Sequence, residues 1–322
     1  MKAYIKKITL TIIITLLTPI ILTGCGKTPK DPIDAPLAAE STELAAPTES
    51  PVPALIEEIV IIGEIIEPEQ EQEIEDKYDL PDANPHPLQI VFLGESNLDN
   101  YRDETGIAYL VGKKADARIY NLSIHGTTAA IYGDGDHNLK SLVGISEILA
   151  GNADVAGINS TRAIEIYNTL NIEETDYFVI MYGAQDYMKG IPLDAPAPDY
   201  GGGPDTFVGA LRKAIINIRK AAPLADIILC SPHYSQFYDQ DGNNLGDAYI
   251  LSNGHAFLEE YRGKMEWVSG ADQTVFINAF RDLGIDIYTV NQYLEDGVHL
   301  SEEGRRLYAD LITQTIFENE KP

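Results

Sequence analysis

From residue 87 onward the sequence predicts an α/β domain of three layers, with helices on both faces of a mostly parallel sheet of about five strands. Two observations carry that expectation. Short continuous apolar runs recur along this stretch, and segments with helical periodicity separate them. A third is length, since about 235 residues in this rhythm suit one large domain.

The runs are taken in order. Leu88-Gln89-Ile90-Val91-Phe92-Leu93 reads as a buried first strand, and Arg118-Ile119-Tyr120-Asn121-Leu122 as a second. Tyr177-Phe178-Val179-Ile180-Met181-Tyr182 is the third, Ile227-Ile228-Leu229-Cys230 the fourth and Thr274-Val275-Phe276-Ile277-Asn278 the fifth. Between them Phe207, Leu211, Ile215 and Ile218 recur at helical spacing, with Arg212, Lys213, Arg219 and Lys220 on the other side. The last helix is expected to start at Ser301, with Glu302 and Glu303 favoured in its first turn by the helix dipole. Its apolar face is read as Leu307, Leu311, Ile312 and Ile316.

Ahead of this domain the chain changes character. Residues 26–86 are rich in proline and hold sixteen acidic residues against three lysines, roughly half of the formal net charge of -27. Such composition buries too little apolar surface to offset the entropy of ordering, so residues 25–86 are expected to form an extended tether. Its one apolar island, Ala54 to Ile62, could dock locally. An overall surplus of negative charge would repel a phosphate backbone, so nucleic acid is not expected as a partner.

Residues 1–24 read as an address. Lys2, Lys6 and Lys7 precede an apolar run from Ile8 to Leu22, which is short for a membrane span and fits the core of a secretory signal. Leu22-Thr23-Gly24-Cys25 closes it and resembles the lipobox of bacterial lipoproteins, which implies a lipidated Cys25 after removal of the preceding peptide. An uncleaved anchor is the alternative. Either way the domain lies outside the cytoplasm, held at the membrane. Cys230, the other cysteine, has no partner left and reads as a buried apolar residue.

In open parallel sheets, ligands bind beyond the carboxyl ends of the strands. Gly94-Glu95-Ser96-Asn97 follows strand one, Ser123-Ile124-His125-Gly126-Thr127 follows strand two, and Gly183-Ala184-Gln185-Asp186 follows strand three. Asp296-Gly297-Val298-His299 lies just before the last helix. A serine hydroxyl needs a base, histidine titrates in the useful range, and a carboxylate must hold its tautomer. Asp296 and His299 stand three apart, so one turn can set both, with a buried Asp296 beneath the imidazole. Leu98 occupies the place of the second glycine of a nucleophile elbow, which excludes the α/β-hydrolase variant.

Together these four blocks resemble those of the SGNH (GDSL-type) hydrolases, over the whole domain of residues 87–322. The resemblance implies a flavodoxin-like fold and ester hydrolysis by Ser96, His299 and Asp296. It also implies an oxyanion hole of the Ser96 and Gly126 backbone N–H groups and a side-chain amide. Gln185 stands where the family has Asn. Its amide is the same donor on a chain one methylene longer, so its loop would have to be shifted for it to serve.

Other polar residues have plainer readings. Glu95 reads as a solvated loop residue, Asn97 as a helix cap and Asp186 as a structural hydrogen-bond partner. His125 could line the site or pack its loop. His86, His137, His233 and His255 have no metal-ligand spacing, and Asp134 to Asp136 and Asp239 to Asn243 read as turns rather than calcium loops. The long segments Gly190–Pro204 and Ser231–Gly246, the second with Tyr234, Phe237 and Tyr238, are expected to wall the substrate. The expectation is a monomeric cell-surface esterase acting on small acyl esters or an acylated glycan, with no cofactor or metal. An acyltransferase using the same residues, and a glycan-binding module on a disabled hydrolase fold, remain as alternatives.

Overall fold

The computed structural model describes residues 87–133, 135–195 and 202–320. The address, Cys25, the tether and its Ala54–Ile62 island lie outside the described residues, as do Asp134 and part of the Gly190–Pro204 loop.

Five parallel strands form the main sheet: β1 (Gln89–Gly94), β2 (Arg118–Asn121), β3 (Tyr177–Met181), β4 (Asp226–Cys230) and β7 (Val275–Ile277). Their order is β2-β1-β3-β4-β7. Taken in sequence order within this sheet, that is the doubly wound, flavodoxin-like order. Every residue of β1 and β3 is buried. A strand covered on both faces cannot alternate apolar with polar, which is why these segments read as unbroken apolar runs. The register pairs Gly94 with Met181, Met181 with Cys230 and Cys230 with Ile277, so these carboxyl ends share one edge.

Helices cover both faces. α1 (Ser96–Asp99) is a single turn after β1, and α2 (Ile107–Ala115) packs against the final α6 (Glu302–Asn319). On the other side α3 (Leu142–Leu149), α4 (Phe207–Ala221) and α5 (Leu258–Asp272) lie in a row. α4 starts at Thr206, whose hydroxyl accepts from Gly209 N at 3.1 Å, and it buries Phe207, Leu211, Ile215 and Ile218. α6 starts at Ser301 as its cap chemistry predicts, with Ser301 Oγ accepting from Gly304 N at 3.2 Å.

The buried face of α6 is rotated from the sequence reading. Tyr308, Ala309, Ile312 and Ile316 are buried, while Leu307 and Leu311 stay at the margin. Tyr308 takes the central place because its hydroxyl reaches the Ser231 carbonyl oxygen at 2.8 Å, which satisfies its polar end inside the fold.

The segment after β4 holds more structure than a loop. β5 (Gln236–Tyr238) and β6 (Asn244–Asp247) form an antiparallel hairpin. Its turn is closed by Asp239, whose carboxylate accepts from Asp241 N at 2.9 Å and Asn243 N at 2.7 Å. Cys230 is free and fully buried, and burial pushes its thiol pKa well up, as suits an inert core residue.

Phe178 lies in the middle of β3 with no exposed surface. Phe178→Ala is expected to cost about 3–5 kcal/mol in urea-induced unfolding. Ile216→Ala, on the exposed side of α4, should change stability by no more than about 0.5 kcal/mol. Equal costs at the two positions would contradict the placement of the core.

Candidate active site

β1 ends at Gly94, where a Cβ would stand 2.9 Å from the Met181 carbonyl oxygen of the neighbouring strand. That close approach lets the chain turn at once into α1, which begins with Ser96 at the carboxyl edge of the sheet. Ser96 is 3% exposed.

The opposite side of the site is the turn from Leu294 to Leu300, which pair across its base. Glu295 N donates to His299 O at 2.8 Å, and Asp296 folds the interior. Asp296 Oδ1 accepts from Val298 N at 2.9 Å and His299 N at 2.7 Å. Its Oδ2 meets His299 Nδ1 at 2.6 Å, and His299 Nε2 lies 3.1 Å from Ser96 Oγ. Gly297 makes the turn possible: its φ is +89°, and a Cβ there would run into the Gln236 carbonyl oxygen. The base of the turn is clamped by buried Arg305, which donates to Leu300 O at 2.6 Å and Glu295 at 3.1 Å and lies over the Tyr101 ring.

Burial works against ionisation of Asp296, but the His299 imidazole and the two backbone N–H groups outweigh it, leaving its pKa at about 2. An ionised carboxylate only accepts, so the proton between them sits on His299 Nδ1. Nε2 then presents its lone pair to the Ser96 hydroxyl. The expectation of a buried Asp296 is corrected: its side chain is 36% exposed. Backbone N–H groups of its own turn already hold one oxygen, so orientation does not require burial.

The other two blocks close around Ser96. Gly126 has φ +69° and open space where a Cβ would be, so its requirement for glycine is one of backbone conformation. His125 packs the loop rather than standing free: its N–H donates to Asp99 at 2.7 Å and its Nδ1 lies 2.7 Å from Asn100 Oδ1. Gln185 is buried at 7% exposure. Its backbone N donates to Glu95 Oε2 at 2.9 Å, while among the described residues no hydrogen bond occupies its side-chain amide.

Two residues differ from their plain readings, and a third, His233, lies beside the site. Glu95 is buried, not solvated, and takes the N–H groups of Ala184 and Gln185. Asn97 does not cap α1; its Oδ1 accepts from Leu300 N at 2.9 Å, which ties the Ser96 turn to the residue after His299. His233, read as one histidine among several, lies against Asn97 with Nε2 3.4 Å from Asn97 Nδ2. Its Nδ1 is 2.7 Å from Tyr234 O. The available signal for His233 was its position just past the end of β4, on the same edge as the other blocks. Asp186 does act as a hydrogen-bond partner, accepting from Ala129 N at 2.9 Å and Ala130 N at 3.0 Å.

The molecule thus presents a serine, imidazole and carboxylate in one hydrogen-bonded row at the carboxyl edge of a doubly wound sheet, an arrangement in which the imidazole can take the hydroxyl proton. The chain belongs to the GDSL-like lipase/acylhydrolase family, whose model matches residues 90–312. Solved structures agree on the fold. One from Lactobacillus plantarum has a TM-score of 0.54 at 17% identity, covering 74% of this chain and 100% of its own. Another has a TM-score of 0.56 at 17% identity, covering 72% of this chain and 97% of its own. No curated protein matches the chain.

Burial pushes the His233 pKa down to about 4, assisted by the nearby His299, so the folded protein keeps it neutral where the unfolded chain protonates it. Stability from this group is therefore complete above the ordinary histidine value of 6.5 and is lost as pH falls from there through about 4. The loss is on the order of 2 kcal/mol by about pH 4.5. Between pH 7 and 4.5 the melting temperature of the parent should fall several degrees further than that of His233→Gln. Identical pH dependence in the two proteins would sink this assignment.

Proposed function

We propose that the protein is a serine esterase, lipid-anchored outside the cytoplasm through Cys25, that removes small acyl groups from carbohydrate or cell-envelope glycan. The observation that carries the reading is the unbroken row from Ser96 Oγ through His299 to Asp296.

In this reading His299 Nε2 takes the Ser96 proton as Oγ adds to the ester carbonyl carbon. The tetrahedral intermediate then expels the alcohol, which leaves with that proton. Water repeats the sequence on the acyl-enzyme: His299 takes its proton, the carboxylic acid departs, and Ser96 Oγ recovers the proton. Asp296 keeps Nδ1 protonated and stabilises the imidazolium in both halves. The Ser96 N–H, the Gly126 N–H and the unoccupied Gln185 side-chain amide are the donors for the developing oxyanion.

The substrate side rests on the surroundings. Gln236 N donates to Gly297 O at 2.8 Å, so the β5–β6 hairpin abuts the His299 turn, with Tyr238 beside Gly297. Tyr234 and Tyr249, just before and just after that hairpin, stand beside each other with Tyr249 half exposed, and such rings suit sugar faces. Location outside the cytoplasm is supported by the charged start, apolar run and Leu22-Thr23-Gly24-Cys25 of the sequence.

Hydrolysis of p-nitrophenyl acetate and other small acyl esters by the purified protein tests the reading. Ser96→Ala should reduce turnover to background, and Gln185→Ala should lower kcat about 10²-fold. A folded parent no faster than Ser96→Ala across several acyl esters would overturn it.

A further inference from the structure

The proposed reaction leaves two acidic side chains beside the site without a role. Glu95 precedes Ser96 and is 5% exposed; Asp186 follows Gln185 and is 0% exposed. Burying a carboxyl group is costly unless hydrogen bonds compensate, and here each of its oxygens is compensated in the same way. Glu95 reaches from the end of β1 to the end of β3, its Oε1 accepting from Ala184 N at 3.1 Å and its Oε2 from Gln185 N at 2.9 Å. Asp186 reaches from the same turn to the chain after β2, its Oδ2 accepting from Ala129 N and its Oδ1 from Ala130 N.

The two links therefore run in series: Ser96 turn, Glu95, Gln185 turn, Asp186, then the chain just beyond Gly126. Gln185 and Gly126 thus lie at or within a few residues of a strapped amide, while Ser96 follows Glu95, the residue that makes the first strap. Burial, and then the neighbouring Asp186 charge, push the Glu95 pKa well above the usual carboxylate range, while burial raises Asp186 to about 6. A small pocket beside Glu95 has a mostly apolar wall that includes Leu98, Met181 and Cys230, with Asn97 and His233 also on it. A carboxyl group offers two acceptor oxygens on one side chain, so a neutral amide of the same size could hold one of the two N–H groups but not both. The Ser96 and Gly126 turns are already joined through His125, whose N–H donates to Asp99, so what the pair supplies is the link that fixes the Gln185 turn to both of them.

We infer that Glu95 and Asp186 are positioning residues that strap the oxyanion-donor turns at a fixed spacing, Glu95 acting through Gln185 and Asp186 through the Gly126 turn. This rests on the serine-esterase reading. Glu95 also compensates for the longer donor, since Gln185 reaches the oxyanion only from a correctly placed backbone and Glu95 holds that backbone by its own N–H.

The test uses Glu95→Gln and Asp186→Asn, which keep side-chain size, in the full chain. Each should lower kcat about 10-fold or more on acyl esters with KM unchanged within about 2-fold, because an oxyanion donor acts in the transition state. In a Gln185→Ala background, Glu95→Gln should cost less than about 3-fold more, since its effect passes through the amide already removed. Amide hydrogen exchange reads the strap without turnover: Glu95→Gln should unprotect residues 184–185, and Asp186→Asn residues 129–130, with the sheet still protected. A full kcat loss that persists in the Gln185→Ala background, a rise in KM in place of a fall in kcat, or unchanged exchange at those amides would overturn the proposal. So would unfolding of both variants, since the carboxyls would then hold the fold rather than the spacing. An inactive parent would sink the esterase reading instead, and exchange alone would then judge the strap.

Discussion

The Asp296 carboxylate divides its two oxygens between two tasks, and the candidate site depends on that division. One oxygen closes the turn by accepting two backbone N–H groups; the other holds the imidazole of His299. Because both bonds belong to one rigid four-residue unit, the imidazole can be aimed without help from a distant carboxylate. Aiming it at Ser96 requires that the unit be fixed relative to β1, more than two hundred residues earlier. Asn97 supplies that link by accepting from Leu300 N, and Arg305 closes the base of the turn. Local hydrogen bonds thus set the orientation, and long-range ones set the placement.

The sheet makes the second kind of bond economical. Parallel strands in register bring Gly94, Met181, Cys230 and Ile277 to one edge, so the segments that follow them start from neighbouring points. Side chains of ordinary length then span the gaps. Glu95 crosses from β1 to the turn after β3, and Asn97 crosses to the turn before α6. The cost is that carboxyl groups are buried near the site, and those of Glu95 and Asp186 are matched by backbone N–H groups.

The sequence made much of this legible, for identifiable reasons. Buried parallel strands are continuous apolar runs, so β1, β3 and β4 could be read directly, and the Ser301 cap with Glu302 and Glu303 marks the start of α6. Ser96 is marked by its place after β1, and Asp296 and His299 by residue type and a spacing of three within one turn; the structure brings the three side chains into one hydrogen-bonded row. The burial of Glu95 was not legible. Whether a carboxylate beside a serine faces water or the interior is decided by N–H groups of Ala184 and Gln185, some ninety residues away. The same holds for His233, whose neutrality follows from burial against Asn97. The exposure of Asp296 was misread for the opposite reason, since its stabilisation is local and needs no covering. The β5–β6 hairpin escaped notice because its strands are too short for alternation to register.

Gln185 shows how these levels meet. Judged by side-chain length alone, an amide one methylene longer than the family's is a misfit. In the fold its backbone N–H is held by Glu95, itself fixed one residue before Ser96, so the distance between serine and amide is a property of two side chains rather than one. In the proposed esterase reading, a change in donor length is absorbed by the group that sets the standoff, without moving the strands. Oxyanion stabilisation depends on where a donor is held before the charge develops, more than on which amide carries it. For this chain the relevant unit is therefore the pair Glu95 and Gln185, and the departure at Gln185 does not by itself argue for a disabled site.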